Sequence, residues 1–182
     1  MKKKSDFSEE IFLQGLRKQF NYPGLKNTVG IRDDAAILKT GNETLVITAD
    51  MMAEDVHFDL KYFSIADLAY KIIAVNVSDI SAMGGIPLYS LISIAAPKKN
   101  ARFFLKRFYD ELEKVLNLFK IKLIGGDTIS SNKIIINMTL IGRMLFPKPV
   151  QRTGAEPGDI LCLTGYPGLA GLGLKLLKEG KR

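Results

Sequence analysis

Four aspartate positions, each in a different segment of the chain, are best suited to chemistry. The pair Asp33 and Asp34 precedes one apolar segment, Asp50 ends another, and Asp127 follows two glycines in LIGGDT, while Asp79 lies inside a helical pattern. Carboxylates from separate elements, with no accompanying cluster of Cys or His, suit Mg²⁺, which takes oxygen ligands and shares them with substrate phosphates. Together the four aspartates predict a metal-phosphate site.

Each aspartate taken alone has a simpler explanation. Asp34 and Asp127 lie in sequences typical of turns, Asp50 can cap the end of a strand, and Asp79 can hydrogen bond to a nearby backbone amide. The helical pattern favours the site, because Asn76 and Asp79 interrupt its apolar face. A buried aspartate needs a cation or hydrogen-bond donors beside it.

Other motifs narrow the kind of phosphate site. The chain lacks G-x-x-x-x-G-K-[ST], which excludes a P-loop. The glycines of GYPGLAGLGL, 165–174, do not have the dinucleotide-binding spacing and favour close packing of a helix. The only histidine, His57, follows an acidic segment; a lone histidine is more often structural than catalytic, although its acidic neighbours favour a surface loop.

The composition excludes several classes of protein. The chain has 182 residues, 47% of them hydrophobic and 25% charged, which is typical of a folded protein with one core. Its formal charge of +7 is not accompanied by a DNA- or RNA-binding motif, so we expect no nucleic-acid partner. The apolar runs are far shorter than the ~18 residues of a membrane span, and Cys162 is the single cysteine. We therefore expect a cytoplasmic protein with no membrane partner.

Hydrophobic periodicity predicts how these residues are positioned. Ser64 and Asp67 form a capping-box pattern that begins one helix, Gly84 ends it, and Asn100 is predicted to cap the next. The order of elements predicts an α+β fold, with a mixed, largely antiparallel sheet and helices packed on one face. The predicted elements are helices at 8–20, 64–83 and 101–118, a hairpin of 35–38 and 44–49, strands at 88–96, 122–124, 134–144 and 160–164, and a final glycine-rich helix.

Five motifs, in order, resemble a known family: IRDDAAIL, TADMMAEDVHFD, DLAYKIIAVNVSDISAMGGIP, LIGGDT and RTGAEPGDILCLTGYPG. They are similar to the motifs of thiamine-monophosphate kinases, which belong to the ATP-binding superfamily of aminoimidazole ribonucleotide synthetase and selenophosphate synthetase. The resemblance covers nearly the whole chain. It implies the fold of the superfamily's N-terminal domain.

The resemblance also implies an activity, the transfer of the ATP γ-phosphate to thiamine monophosphate with Mg²⁺, and a homodimer. Such a reaction depends on positioning and charge neutralisation more than on covalent chemistry, so no residue is assigned as acid, base or nucleophile. Carried over by position, the metal ligands would be Asp34, Thr48, Ala49, Asp50, Asp79 and Asp127. The ATP contacts would be Tyr109, Gly126, Asp127 and Arg152, and His57 would contact thiamine monophosphate.

The sequence departs from the family pattern at four positions. The family usually has glycine at Arg32, threonine at Ala49, glycine at Asp55 and arginine near Ser130. The threonine hydroxyl is missing at Ala49, where only a backbone carbonyl could serve a metal.

The family continues beyond the length of this chain into a second domain. We therefore expect an N-terminal ATP- and Mg²⁺-binding, dimerising domain at 1–147, and a connector with the beginning of a truncated C-terminal domain at 148–182. A fragment, half of a split enzyme and a degraded gene product all fit this expectation. Two other functions stay open: another enzyme of the superfamily, such as a hydrogenase-maturation or purine-synthesis enzyme, and a non-catalytic nucleotide-binding or dimerisation fragment.

Overall fold

A computed structural model describes residues 8–20, 29–31 and 33–181, with the backbone alone at Glu9. The predicted stop of the first helix at 21–24 and the departure at Arg32 lie outside the described residues. The helices are α1 (Glu9–Gln19), α2 (Ile65–Ala82), α3 (Ala101–Phe119) and α4 (Leu169–Lys178). The strands are β1 (Ala36–Thr40), β2 (Glu43–Ala53), β3 (Gly85–Ala96), β4 (Lys122–Ser130) and β5 (Ile135–Met144). Within this described part of the chain, no helix is both long and apolar enough to cross a membrane.

The strands form one five-stranded sheet in the order β1-β2-β5-β3-β4. Neighbouring strands are antiparallel except β3 and β4, which are parallel. Helix α3 connects this parallel pair, as a crossover connection requires. The mixed, largely antiparallel sheet confirms the predicted α+β fold class.

Helix α2 packs against β2, β3 and β5, and α3 packs against α2 and β4. We call the side of the sheet that these helices cover the helix face, and the other side the open face. Alternate residues of β5, namely Ile136, Met138 and Leu140, are fully buried on the helix face. Burial of one such side chain stabilises the fold by roughly 1.5–3 kcal/mol, so the core lies between α2 and the sheet.

The start of α2 is fixed by the predicted capping box. Ser64 Oγ accepts a hydrogen bond from the Asp67 backbone N–H at 3.1 Å, and Asp67 Oδ2 accepts one from the Ser64 N–H at 3.0 Å. The Ser64 hydroxyl also donates to Asp67 Oδ2 at 2.7 Å, and this bond, together with the one from the Ser64 N–H, lowers the pKa of Asp67. A fixed start sets which side chains of α2 face the sheet, and so it orients Asp79. Asn100 is the N-cap residue of α3, as predicted, but it has φ 63° and its side chain makes no capping hydrogen bond.

Strand β4 is longer than predicted. The prediction ended the strand at Ile124 and treated Gly125, Gly126 and Asp127 as a turn, but the pairing with β3 continues to Ser130. Gly126 makes this pairing possible, because a Cβ there would lie 1.8 Å from the carbonyl oxygen of Ile92. The glycine that suggested a turn therefore lets two strands approach closely.

Residues 153–182 form a second compact unit, separate from the unit of residues 1–152. Helix α4 is its predicted glycine-rich helix. The strand predicted at 160–164 is wrong: this segment pairs with no strand in the described residues. Its side chains at Ile160 and Leu161 are 87% and 89% exposed. The apolar pattern predicts a strand, but it does not show whether a neighbouring strand is present to form the backbone hydrogen bonds.

Candidate functional site

Three of the predicted aspartates lie near one another on the helix face, and we call them the acidic cluster: Asp34, Asp50 and Asp79. Asp34 lies in the loop before β1, Asp50 lies in β2, and Asp79 lies near the end of α2, which packs on β2. Burial raises the pKa of Asp79, and repulsion from Asp50 and Asp34 raises it further. Asp34 and Asp50 are therefore close enough to Asp79 to disfavour its charge.

Thr48 links two members of the acidic cluster. Its side chain is 7% exposed, and its Oγ1 lies 2.9 Å from Asp79 Oδ2 and 3.3 Å from the Asp34 carbonyl oxygen. The hydroxyl donates its proton to the Asp79 carboxylate at the shorter distance, which lowers the pKa of Asp79 and opposes the effect of burial. Thr48 therefore orients Asp79.

Asp50 is influenced by both burial and His57. Burial raises the pKa of Asp50, while the charge of His57 acts in the opposite direction. The Asp50 backbone carbonyl accepts a hydrogen bond from Asn137 Nδ2 at 3.3 Å. Two raised carboxyl pKa values, at Asp50 and Asp79, mark a place where a bound cation would relieve an electrostatic cost.

Arg152 supplies a positive charge to the acidic cluster. Its Nε donates to Asp34 Oδ1 at 2.9 Å, and its Nη2 donates to the same oxygen. Its backbone N–H donates to Asp33 Oδ1 at 3.3 Å. The Arg152 charge also lowers the pKa of Asp79, so its influence extends beyond Asp34.

The donor set of the cluster fits a hard cation such as Mg²⁺. It offers carboxylate oxygens, the Thr48 hydroxyl and the Asp34 carbonyl, with no sulfur ligand. Among residues 8–20, 29–31 and 33–181, however, no three His, Cys, Asp or Glu side chains converge closely enough to hold a metal ion. The chemistry of the donors therefore fits the ion, while the side chains must rearrange to enclose it.

His57 lies in an exposed loop that several contacts hold beside the cluster. Its Nδ1 accepts a hydrogen bond from the Ala53 backbone N–H at 3.1 Å, which leaves Nε2 to carry the proton of the neutral ring. Lys71 Nζ donates to the His57 carbonyl oxygen at 2.7 Å. No local pattern identifies Lys71 in the sequence, because this contact joins α2 to a loop fourteen residues earlier.

The departure at Asp55 has a structural explanation. Asp55 has φ 67°, in the left-handed region that glycine adopts readily and that aspartate tolerates. Its carboxylate pairs with Lys133 Nζ, which raises the pKa of that lysine. The loop therefore keeps the conformation that suits glycine, with an exposed ion pair in addition.

The departure at Ala49 removes a hydroxyl on the open face, since Ala49 lies between Thr48 and Asp50, which both point to the helix face.

The remaining predicted residues lie together at the far edge of the sheet, and we call Tyr109, Gly126, Asp127 and Thr128 the edge group. Burial raises the pKa of Tyr109 of α3, and an interaction with the Thr128 side chain opposes the increase. Asp127 Oδ1 accepts a hydrogen bond from the Thr128 backbone N–H at 2.8 Å.

The structure does not bring Asp127 to the acidic cluster. Asp50 is paired with Met138, Met138 with Ile92, and Ile92 with Gly126, so three strand spacings, about 14 Å, separate the two groups. One metal ion cannot bind both Asp50 and Asp127 across this distance.

A cleft of about 550 Å³ lies beside the edge group, between α3 and the beginning of β4. Tyr109, Leu116, Ile121 and Leu123 line it, together with polar side chains of α3. Its volume lies within the range of small-molecule sites, and its wall combines apolar and polar side chains. The cleft contains no residue of the acidic cluster, so the acidic cluster and the cleft are two different places on the chain.

The fold is that of an α+β domain that carries an acidic cluster and a separate cleft. A family model described as AIR synthase related protein, N-terminal domain, matches residues 32–144. This match covers more than half of the chain, which therefore belongs to the AIR synthase related family.

Within that family the relatives are thiamine-monophosphate kinases. The thiamine-monophosphate kinase of Bacillus subtilis (strain 168) is 44% identical over 154 residues, which are 83% of this chain and 47% of the relative. A solved structure of AaThiL complexed with AMPPCP and TMP has a TM-score of 0.83 and 31% identity, and it covers 96% of this chain and 53% of that chain. The crystal structure of thiamine monophosphate kinase from Aquifex aeolicus has a TM-score of 0.78 and 29% identity, covering 97% and 56%. The chain thus spans about half the length of the relatives it matches.

Proposed function

We propose that this chain is the nucleotide- and Mg²⁺-binding part of a thiamine-monophosphate kinase, which transfers the ATP γ-phosphate to thiamine monophosphate. The observation that carries the proposal is that Asp34 and Asp50, from two other elements, lie near enough to Asp79 of α2 for their charges to raise its pKa. Relatives named for this activity, and a similar structure complexed with AMPPCP and TMP, support it. They favour it over the other superfamily enzymes.

The acidic cluster would hold Mg²⁺ against the nucleotide phosphates. The ion would supply positive charge where phosphoryl transfer concentrates negative charge. Thr48 would keep Asp79 oriented through its 2.9 Å hydrogen bond. The carboxylates of this chain bind and orient in this proposal, and none of them acts as a nucleophile.

The edge group would contact another part of the nucleotide. About 14 Å of sheet separates Gly126 from Asp50. A nucleoside triphosphate, with a base at one end and phosphates at the other, can contact both regions. We propose that Tyr109 and the cleft receive the base end, with Gly126 and Asp127 further along the strand.

His57 would contact the phosphate of thiamine monophosphate. Its loop lies beside Asp50, since the charge of His57 acts on that carboxyl. With Nδ1 engaged by Ala53, the Nε2–H remains as a donor for an acceptor phosphate. This arrangement puts the acceptor next to the metal-binding residues, where the transferred group must arrive.

Turnover tests the proposed activity. We expect the 182-residue chain to bind Mg²⁺-ATP weakly and to form little thiamine diphosphate alone, because the relatives are about twice as long and positioning is worth orders of magnitude in rate. Adding the C-terminal half of the Bacillus subtilis relative in trans should raise the rate. Thiamine diphosphate formation would be measured by chromatography after incubation with ATP and Mg²⁺.

Three outcomes of that assay separate the possibilities. Product that forms only on mixing supports the kinase. Full activity of the chain alone would show that this half is sufficient and that the positioning argument is wrong. No product in either case, together with no binding of thiamine monophosphate to the mixture, would favour a non-catalytic nucleotide-binding or dimerisation fragment.

We also propose that the chain forms a homodimer through the open face of its sheet. That face carries exposed apolar side chains, among them Met51 at 60%, Tyr89 at 41% and Ile129 at 61%. Strand β4 is exposed along its whole length, and an uncovered apolar edge strand favours association. A second copy would bury these surfaces.

Light scattering at micromolar concentration checks the homodimer. We expect a molar mass twice the 20.2 kDa of one chain. Tyr89→Glu, which puts a charge on the open face, should shift the population to monomers. Phe103→Glu is the matched control, because Phe103 is 64% exposed on α3, and it should leave the mass unchanged. A wild-type mass of one chain would contradict the proposal.

A further inference from the structure

Arg152 and Asp34 form a pair that joins an exposed cation to a mostly buried anion. The side chain of Arg152 is 65% exposed, while that of Asp34 is 22% exposed. Two N–H groups of the guanidinium, Nε–H and Nη2–H, converge on the single oxygen Oδ1 of Asp34. The backbone N–H of Arg152 also donates to Asp33, so backbone and side chain together hold Arg152 against this loop.

The proposed function gives each of these two residues a different partner. Asp34 would bind Mg²⁺ and Arg152 would contact ATP. A carboxylate oxygen that accepts two N–H groups cannot also coordinate Mg²⁺ at about 2.0–2.1 Å without losing them. The ion and the guanidinium would also repel each other at that distance. Mg²⁺ at the other oxygen, Oδ2, would still lie close to the guanidinium, so the Arg152–Asp34 pair and a metal-bound Asp34 oppose each other.

We propose that Arg152 is an internal counter-ion of the acidic cluster, which Mg²⁺ displaces from Asp34 and which then pairs with the phosphates of the nucleotide. This inference rests on the proposed function. It describes a competition between a side chain and a metal for one carboxylate. A phosphate gives the planar fork of arginine an acceptor as suitable as a carboxylate.

The exchange couples metal binding to nucleotide binding. Mg²⁺ alone must break the Arg152–Asp34 pair and leave the guanidinium without an anion. Mg²⁺ that arrives with a nucleotide supplies phosphate oxygens to the released guanidinium, which offsets that loss. The chain therefore discriminates against free metal and favours the metal–nucleotide complex, and each ligand raises the affinity for the other.

Arg152→Ala tests the exchange, because the substitution should strengthen the binding of metal alone and weaken the binding of the nucleotide. Titration with Mn²⁺ alone, followed by electron paramagnetic resonance, should give about five-fold tighter binding in Arg152→Ala than in the wild type. Titration with AMPPCP in saturating Mn²⁺, followed by calorimetry, should give about ten-fold weaker binding. Lys148→Ala, which removes an exposed positive charge from the preceding segment, is the control and should change neither affinity by more than about two-fold.

The remaining outcomes of these titrations show whether the exchange alone fails or the metal site fails with it. Mn²⁺ affinity in Arg152→Ala that is equal to or weaker than that of the wild type would overturn the exchange, and so would an equal gain in Lys148→Ala. If Asp50→Asn abolishes Mn²⁺ binding while Arg152→Ala leaves it unchanged, the metal site stands and the exchange alone fails. If neither the wild type nor Arg152→Ala binds Mn²⁺, the proposed metal site and the exchange both fail.

Discussion

Replacing Gly126 by alanine is expected to lower the free energy of unfolding by about 3 kcal/mol. The new Cβ would lie 1.8 Å from the carbonyl oxygen of Ile92 and 2.7 Å from its carbonyl carbon. These atoms belong to the backbone of β3 and cannot turn away as a flexible side chain can. Gly126 also has φ 155°, a conformation that residues with a Cβ rarely adopt. Strands β3 and β4 must therefore separate locally.

Urea denaturation measures this effect, and the neighbouring glycine provides the control. A Cβ at Gly125 would meet only the Leu91 Cδ2 atom at 3.6 Å, an ordinary contact. Gly125→Ala should therefore change the free energy of unfolding by less than about 1 kcal/mol. Equal stabilities of the two variants would contradict the close approach of β3 and β4 at Gly126.

Local signals in the sequence predicted much of the fold and part of the site. The Ser64–Asp67 capping box and the apolar spacing of α2 are visible without any tertiary information, and they set the side of the helix on which Asp79 lies. Thr48 and Asp50 share one side of a strand because strand residues alternate. Patterns with a fixed period of this kind bring Asp50 and Asp79 to the same face of the sheet.

The parts that sequence did not predict depend on contacts between distant segments. Gly126 looked like a turn residue, and only the pairing with Ile92 explains why the strand continues. The separation of Asp127 from Asp50 follows from the strand order, in which β5 and β3 lie between β2 and β4. The contact of Arg152 with Asp34 joins residues 118 positions apart. No local pattern carries such information.

Loss of Mg²⁺-dependent nucleotide binding in Asp50→Asn is the second large effect that we expect. Asparagine keeps the shape of the side chain and removes the charge that would bind the ion. Loss of one charge-assisted interaction of this kind costs about 2 kcal/mol, which is roughly a 30-fold loss of affinity. Folding should not suffer, because burial raises the pKa of Asp50 in the folded state and thus disfavours the charge that the substitution removes.

The raised pKa of Asp50 also predicts how this residue makes the stability of the fold depend on pH. A raised carboxyl pKa means that the folded state holds the proton more tightly than the unfolded state does, so the ionised carboxylate costs stability above that pKa. Asparagine carries no such charge. Asp50→Asn should therefore be at least as stable as the wild type at neutral pH, and its loss of binding cannot be attributed to unfolding.

Calorimetric titration with AMPPCP tests the metal-phosphate site most directly, with the wild type, Asp50→Asn and the surface control Asp110→Asn each measured in Mg²⁺ and in EDTA. Asp110 is an exposed carboxylate on α3 that pairs with Lys106, so its substitution changes the net charge equally. We predict that the wild type and Asp110→Asn bind the nucleotide only with Mg²⁺, and that Asp50→Asn binds at least about 30-fold more weakly. Binding that is equally strong in EDTA, or equal affinities of Asp50→Asn and Asp110→Asn, would contradict the assignment of the acidic cluster as the metal-phosphate site.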